Sequence, residues 1–141
     1  MHHVTELRVR YAETDQMGVV YHANYLVWCE LGRTDFIRAL GGSYAELERA
    51  GTALAVVEAT LRFMRPARYD DLIRVTTTVS EVRSRVVRFD YEIRNEEQVL
   101  LASGYTTLVA MSRDARSSTI PADLRDALQR AKESGRVAAQ C

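Results

Sequence analysis

Regular alternation of apolar and polar residues through the second half of the chain is the feature that most constrains its fold. In the run Arg85–Asn95, every second residue from Val87 to Ile93 is apolar and the residues between them are charged, as in a half-buried antiparallel strand. Short connections separate the runs, so they predict neighbouring strands of one antiparallel sheet. The four runs lie at Thr52–Met64, Asp71–Val82, Arg85–Asn95 and Gln98–Met111.

A long apolar helix precedes these strands. Between Asn24 and Gly41, apolar residues recur at helical spacing, in a stripe so wide that the helix needs a large surface to pack against. Gly32, in its middle, predicts the close approach of a neighbouring backbone. The shorter predicted elements are a strand at Val4–Tyr11, a capped helix at Ser43–Arg49 and a terminal helix at Pro121–Ala131, with a frayed tail from Lys132.

This order of elements predicts an α+β fold in one domain that spans residues 1–141: a five-stranded antiparallel sheet wrapped around one long central helix, with a short C-terminal helix. Lys and Arg balance Asp and Glu at 19 each, which gives no reason to expect nucleic acid or an anionic membrane as a partner. Signal-peptide and membrane-span patterns are absent, and Cys29 and Cys141 make no disulfide framework. We therefore expect a cytoplasmic protein.

The irregular segment Tyr11–Tyr25 concentrates the candidate functional groups of the chain. It holds the acidic residues Glu13 and Asp15, a glycine turn, His22 and an asparagine where the long helix begins. Such irregular segments carry function more often than regular elements do. The three histidines of the chain have no ligand spacing with Asp, Glu or Cys, so no metal site is predicted.

Three motifs carry a resemblance to a known family. The first runs through Tyr11, Glu13-Thr14-Asp15, Met17–His22 and Asn24-Tyr25, the second is Pro66–Asp71, and the third is Ile120-Pro121 followed by Leu124. Its most specific part is the acidic residue seven positions before the histidine, with a glycine between them. Over nearly its whole length the chain resembles the hot-dog-fold acyl-CoA thioesterases, in particular the 4-hydroxybenzoyl-CoA thioesterase branch and its YbgC-like members.

The resemblance implies that Asp15 is the catalytic carboxylate, acting as nucleophile or as general base on water, and that the backbone N–H at the His22 position hydrogen-bonds the thioester carbonyl. A helix N-terminus can stabilise an oxyanion. Because a thioester has a good leaving group, one carboxylate can suffice without a Ser-His-Asp triad. The implied reaction cleaves a short-chain or aromatic acyl-CoA to free CoA and a carboxylic acid, and it needs no cofactor.

Each candidate residue also has a purely structural interpretation. Asp15 can cap the turn or the helix start, as Asp often does. Glu13 competes for the catalytic role, but continued strand alternation turns it outward as a solvated charge. The His22 imidazole can satisfy a polar position without acting as acid or base. Glu30 lies on the long helix, where a different hot-dog thioesterase branch carries its catalytic carboxylate, but here it is interpreted as a surface charge. Glu58 is assigned no role.

Substrate-binding residues are predicted for both ends of the substrate. Side chains at the entry to the long helix can shape the acyl site or simply support the helix, and aromatic and short aliphatic acyl groups are equally compatible with them. Guanidinium groups suit the phosphates of CoA, and several arginines lie near predicted strand ends. The predicted residues are Tyr21, Asn24 and Tyr25 for the acyl end and Arg62, Arg65 and Arg113 for the CoA end.

Self-association is predicted from the outer face of the sheet and from its edges. A lone five-stranded sheet leaves unpaired edges. Hot-dog proteins pair two sheets edge to edge with active sites between subunits, so the resemblance implies a homodimer, and we expect a homotetramer of two such dimers. Apolar or small residues expected on the outer face are Leu54, Val56, Thr76, Thr78, Ala102, Gly104, Thr106, Leu108 and Ala110.

Two other functions are considered. A non-catalytic acyl-CoA-binding hot-dog protein would use the same pocket as a sensor or carrier, although an intact Asp15 argues against it. A hot-dog hydratase or dehydratase uses a different arrangement of Asp and His, which the order of Asp15 before His22 does not resemble. Binding of CoA esters without turnover would support the first alternative, and hydration of an enoyl-CoA would support the second.

Overall fold

The structure, a computed structural model, describes residues 2–41, 47 and 49–140. Cys141 and most of the short helix predicted at Ser43–Arg49 lie outside the described residues. The order of the described elements is strand, helix, four strands, helix, as predicted from the sequence.

The five strands form one antiparallel sheet. Its spatial order is β1-β3-β4-β5-β2, so that β1 and β2 are the two edge strands. The four alternating runs predicted β2 to β5 to within a few residues at each end. The strand bounds are His2–Arg8 for β1, Thr52–Phe63 for β2, Leu72–Val82 for β3, Val86–Asn95 for β4 and Leu100–Ser112 for β5.

The long helix α1, Ala23–Ala39, packs against one face of this sheet. Its side chains Trp28, Phe36 and Ile37 are fully buried. At Gly32 an added Cβ would lie 2.6 Å from Thr77 Oγ1, a side-chain atom of β3. The predicted close approach at this glycine is therefore present, but it is made by side chains of β3 and not by a backbone.

Strand β4 has the predicted two faces, since Val87, Phe89, Tyr91 and Ile93 are all buried. The faces predicted for β5 were wrong, because cross-strand partners share a face and the register places Leu108 opposite Val87. Both faces of β5 are small or apolar, so its sequence does not distinguish them. Leu54 of β2, which was also expected on the outer face, packs against the core. The β5 residues that were expected on the outer face but are buried are Ala102, Thr106, Leu108 and Ala110.

The C-terminal helix α2, Ala122–Gln140, continues well beyond Ala131, where the sequence predicted its end. Leu128 and Ala131 bury its inner side in the core. Within the described ranges, neither helix combines the length and the apolar character needed to cross a membrane.

Candidate active site

The loop between β1 and α1 folds into a tight hairpin around Asp15. After a single 3-10 turn at Tyr11–Glu13, the Asp15 N–H donates to the Val19 carbonyl at 2.9 Å and the Gly18 N–H donates to the Asp15 carbonyl at 3.0 Å. Gly18 has a φ of +78°, which L side chains rarely adopt, so glycine permits this turn. The Val20 N–H donates to the Ala67 carbonyl at 2.9 Å, which ties the loop to the segment after β2.

The two carboxylate oxygens of Asp15 have different surroundings. Oδ1 accepts a hydrogen bond of 2.8 Å from the Met17 N–H, a side-chain turn that Asp commonly forms. Oδ2 accepts no hydrogen bond from any residue that the structure describes. Asp15 is half-buried. The side chain therefore does cap its turn, as the structural interpretation proposed, and it keeps one oxygen available for chemistry.

The start of α1 offers free N–H donors. The Tyr21 N–H donates to the Glu13 carbonyl at 2.8 Å and the Asn24 N–H donates to the Tyr21 carbonyl at 3.0 Å. Among the described residues, no acceptor lies within hydrogen-bonding distance of the N–H groups of His22 and Ala23. Free N–H groups at the positive end of a helix dipole can bind an anion or an oxyanion.

The imidazole of His22 is exposed at this helix start. Its ring centroid lies 4.5 Å from that of Tyr21 and 6.3 Å from that of Phe63. No carboxylate of the described chain is paired with the ring, so the catalytic arrangement in which Asp or Glu orients a general-base histidine is absent there. The geometry gives His22 a lining position and gives its backbone N–H a donor position.

A shallow cavity of about 250 Å³ adjoins the helix start. Its aromatic wall is the edge-to-face pair of Tyr25 and Phe63, with ring centroids 5.2 Å apart. The Tyr25 hydroxyl accepts the Ala67 N–H at 3.1 Å, and burial raises the pKa of this hydroxyl above its ordinary value. Tyr25 is therefore a buried ring that supports the cavity. The lining residues are Val20, His22, Tyr25, Phe63, Met64, Arg65 and Pro66.

The structure brings some of the predicted CoA-binding arginines to this cavity and leaves another away from it. Arg65 lines the cavity and Arg62 is exposed on β2 nearby. Arg113 lies beyond the opposite end of the β2–β5 ladder, in which Phe63 pairs with Ala102 but Thr52 pairs with Ser112. It donates to the Arg49 carbonyl at 3.1 Å. Within this chain, Arg113 is therefore remote from the cavity.

Glu13 does not point outward as predicted. It is 5% exposed, and its Oε2 accepts a hydrogen bond of 2.8 Å from the indole Nε1–H of Trp28. The prediction was wrong because the 3-10 turn at Tyr11–Glu13 ends the strand alternation before Glu13 is reached.

Sequence reasoning also missed Phe63 and Met64, which line the cavity. Their position shortly before the Pro66–Asp71 motif was the available signal.

The remaining candidate groups lie outside the site. Glu30 and Glu58 are exposed, Glu30 as interpreted from the sequence. Burial raises the pKa of the Cys29 thiol to about 12, so it stays protonated and is no nucleophile at neutral pH. Clusters of three or more His, Cys, Asp or Glu side chains that could hold a metal do not occur in the described part of the chain.

Comparison with known proteins gives a consistent family. The model of the thioesterase-like superfamily matches residues 9–128. YneP of Bacillus subtilis, provisionally named an acyl-CoA thioesterase, is 36% identical over 78% of this chain and 80% of its own length. The acyl-CoA thioester hydrolase YbgC of Escherichia coli, strain CFT073, is 33% identical over 74% of this chain and 78% of its own.

A solved structure matches this chain over nearly its whole length. The DHNA-CoA thioesterase of Staphylococcus aureus superposes with a TM-score of 0.92 and 31% identity, covering 97% of this chain and 95% of that one. The predicted hot-dog fold is thereby confirmed, and so is the thioesterase assignment. The chain belongs to the thioesterase-like superfamily as a hot-dog-fold acyl-CoA thioesterase of the YbgC-like type.

Proposed function

We propose that Asp15 carries out the hydrolysis, as the nucleophile on the thioester carbonyl or as the general base that activates water. The observation that carries this proposal is the unequal use of its two oxygens. Oδ1 is held by the Met17 N–H and fixes the carboxylate, while Oδ2 is available to a substrate or a water molecule. A positioned general base typically contributes about 10²–10⁴-fold in rate.

The start of α1 completes the proposed chemistry. As the thioester carbonyl becomes tetrahedral, negative charge develops on its oxygen. The N–H groups of His22 and Ala23 have no acceptor among the described residues and lie at the positive end of a helix dipole, so they can stabilise this charge. Loss of one such donor typically costs ~10²–10³ in kcat. The thiolate of CoA then leaves, and no cofactor takes part.

For the acyl group we propose a short-chain or aromatic structure that lies against Tyr25 and Phe63. The cavity beside them holds about 250 Å³, which suits a single ring or a short chain better than a long one. Edge-on contacts with these rings would favour an aromatic acyl group. Tyr21 and Asn24 do not line the cavity; Tyr21 packs against the His22 ring, and Asn24 donates to the Glu13 carbonyl, so the support that we propose for them is indirect.

The assembly that we propose is a homodimer through the β2 edges. Strand β2 is an edge strand that exposes Val56 and Val57, at 49% and 59% exposure, and α1 exposes Leu26, Val27 and Leu31 on its outer side. An unpaired strand edge beside exposed apolar side chains is a typical protein interface. Two such dimers would form the homotetramer.

The location that we propose is the cytoplasm. The free cysteine Cys29 is compatible with that reducing compartment.

Dimerisation would also explain Arg113. A twofold axis pairs identical edge strands antiparallel, so the Thr52 end of one β2 would meet the Phe63 end of the other. The partner subunit's Arg113 would then lie near the cavity, together with Arg62 and Arg65 of the first subunit. This arrangement gives guanidinium groups for the phosphates of CoA from both chains.

The interface can be tested with Val57→Asp, which places a charge at the centre of the β2 edge. We expect sedimentation equilibrium to show a monomer for this variant and a dimer or tetramer for the wild type. Val4→Asp is the matched control, because Val4 is an exposed valine of β1, the other edge strand. A wild-type monomer at micromolar concentration would overturn the proposed assembly.

The catalytic proposal is tested by the release of free thiol from a panel of aromatic, short-chain and long-chain acyl-CoAs. We expect the wild type to prefer aromatic or short-chain esters and Asp15→Asn to lose about a hundredfold or more in kcat. Asp126→Asn, at an exposed aspartate of α2, is the matched control and should keep the wild-type rate. An Asp15→Asn variant with the wild-type rate would overturn the assignment.

A further inference from the structure

Glu13 has no role in the chemistry described above, although it lies two residues before Asp15 and is buried. We infer that Glu13 is a positioning residue that holds the Asp15 turn and the start of α1 in one fixed geometry, through its bond to the indole of Trp28. This inference rests on the proposed roles of Asp15 and of the helix start. It adds a residue to the site that acts without touching the substrate.

Both oxygens of the Glu13 carboxylate are occupied by donors. Oε2 accepts the Trp28 Nε1–H at 2.8 Å, and Oε1 accepts the Arg10 N–H, also at 2.8 Å. Trp28 is fully buried and lies within α1, while Arg10 follows β1 and directly precedes the 3-10 turn. A carboxylate that is 5% exposed is tolerated only when hydrogen bonds satisfy it, so these two donors fix its place.

The backbone of Glu13 is fixed as firmly as its side chain. Its carbonyl oxygen accepts the Tyr21 N–H at 2.8 Å and the side-chain Nδ2–H of Asn24 at 2.9 Å. Tyr21 directly precedes His22 and Ala23, whose N–H groups are the proposed oxyanion donors. Glu13 therefore joins the turn that carries the catalytic carboxylate to the helix start that carries the donors.

This connection makes the side chain matter for rate as well as for folding. If Glu13 moves, the Asp15 turn and the helix start no longer keep their spacing. Small misplacements of catalytic groups are costly, since about 1 Å can reduce the rate by about 10²-fold. We therefore expect loss of the Glu13–Trp28 bond to lower kcat about tenfold while KM changes less than about threefold, because the arginines proposed for CoA make no described contact with Glu13 or Trp28.

Glutamine is the informative substitution at this position. Glu13→Gln keeps the shape of the side chain but replaces one acceptor oxygen by an NH₂ donor. Since both neighbouring groups are N–H donors, one of them must then face another donor. Trp28→Phe removes the indole donor and keeps a buried aromatic ring, so it tests the same bond from the other side.

The experiment is a double-mutant cycle in kcat for Glu13→Gln, Trp28→Phe and the double variant, with the best acyl-CoA of the panel as substrate. If Glu13 acts through Trp28, the double variant should be no more than about twofold slower than the slower single variant. Independent effects would multiply. Tyr91→Phe is the matched control, because it removes a buried hydroxyl that bonds Thr106 at 2.6 Å and accepts from Arg33 of α1 at 3.1 Å, neither of which is a partner of Glu13. It should lower Tm without lowering kcat.

A spectroscopic measurement separates positioning from simple destabilisation. Trp28 is the only tryptophan of the chain, so the tryptophan fluorescence reports on the surroundings of this one indole, the bond to Glu13 among them. We expect Glu13→Gln to change the Trp28 emission of the folded protein, and Tyr91→Phe to leave it unchanged. Should Glu13→Gln fail to fold, Trp28→Phe carries the kinetic test by itself.

Two results would overturn the inference. One is a Glu13→Gln variant, or a folded Trp28→Phe variant, with wild-type kcat and a Tm lowered as in Tyr91→Phe, since Glu13 would then have a structural role only. The other is multiplicative loss in the double variant. Neither result touches the proposed function, which fails on a different measurement, the retention of wild-type rate by Asp15→Asn.

Discussion

Glu13 and Asp15 lie two residues apart in one loop and have opposite surroundings. Glu13 is 5% exposed, and its two oxygens accept from Arg10, just before the 3-10 turn, and from Trp28 of α1. Asp15 is half-buried, and one of its oxygens accepts from a donor of its own turn. Protein donors saturate the Glu13 carboxylate, which fits the positioning role that we infer for it, while the free oxygen of Asp15 fits the catalytic role that we propose. Chemical type and sequence position alone did not separate the two.

The largest expected difference between the two residues is in stability. Glu13→Ala leaves the Trp28 and Arg10 N–H groups without an acceptor, and we expect a loss of about 2–3 kcal/mol in the free energy of unfolding. Asp15→Ala removes only a turn contact, so we expect a loss of about 1 kcal/mol or less. Urea unfolding at one protein concentration measures both values. Equal losses would remove the distinction between the two carboxylates.

A smaller effect is expected from the turn that presents Asp15. Gly18→Ala meets no atom within 4 Å but must hold a φ of +78°, so it should destabilise the fold by about 1 kcal/mol and displace the Asp15 carboxylate. We expect kcat to fall several-fold in the thiol-release assay. Gly41→Ala is the matched control, because its φ of +93° is equally strained and its surroundings equally open, beyond the other end of α1. If both variants keep the wild-type kcat, the turn does not set the position of Asp15.

The smallest effect is expected at Asn24, whose side chain joins the start of α1 to the backbone of Glu13. Asn24→Ala loses the 2.9 Å hydrogen bond to the Glu13 carbonyl, worth about 0.5–1.5 kcal/mol, but leaves the Tyr21 N–H on the same oxygen. Thermal unfolding should show a modest decrease in Tm, with a decrease in kcat of a few-fold. A loss of activity as large as that of Asp15→Asn would instead give Asn24 a direct part in the reaction.

Much of the fold followed from local periodicity. The alternating runs gave β2 to β5, and the apolar stripe gave α1, because each pattern repeats often enough to specify a buried face. The irregular segment Tyr11–Tyr25 was placed between β1 and α1 for a related reason, because two regular patterns end there. Its role as the site stays a prediction.

The errors came from places where local pattern gives no direction. The outward prediction for Glu13 assumed that β1 continued, whereas a 3-10 turn rotates the side chain inward to Trp28. Both faces of β5 carry small or apolar side chains, so only its register with β4 decides that Leu108 is buried. The assignment of Arg113 to the CoA end stays a prediction, since its distance from Phe63 depends on strand pairing over the whole ladder and not on local pattern.

The most direct test of the division between the two carboxylates is single-turnover hydrolysis of one saturating acyl-CoA by Asp15→Asn and Glu13→Gln, with Tm measured on the same samples. We predict that Asp15→Asn loses about a hundredfold or more in rate while its Tm stays near that of the wild type. Glu13→Gln should lose about tenfold in rate together with a clear decrease in Tm. An Asp15→Asn variant that keeps the wild-type single-turnover rate, or a Glu13→Gln variant that loses more rate than Asp15→Asn does, would contradict this account.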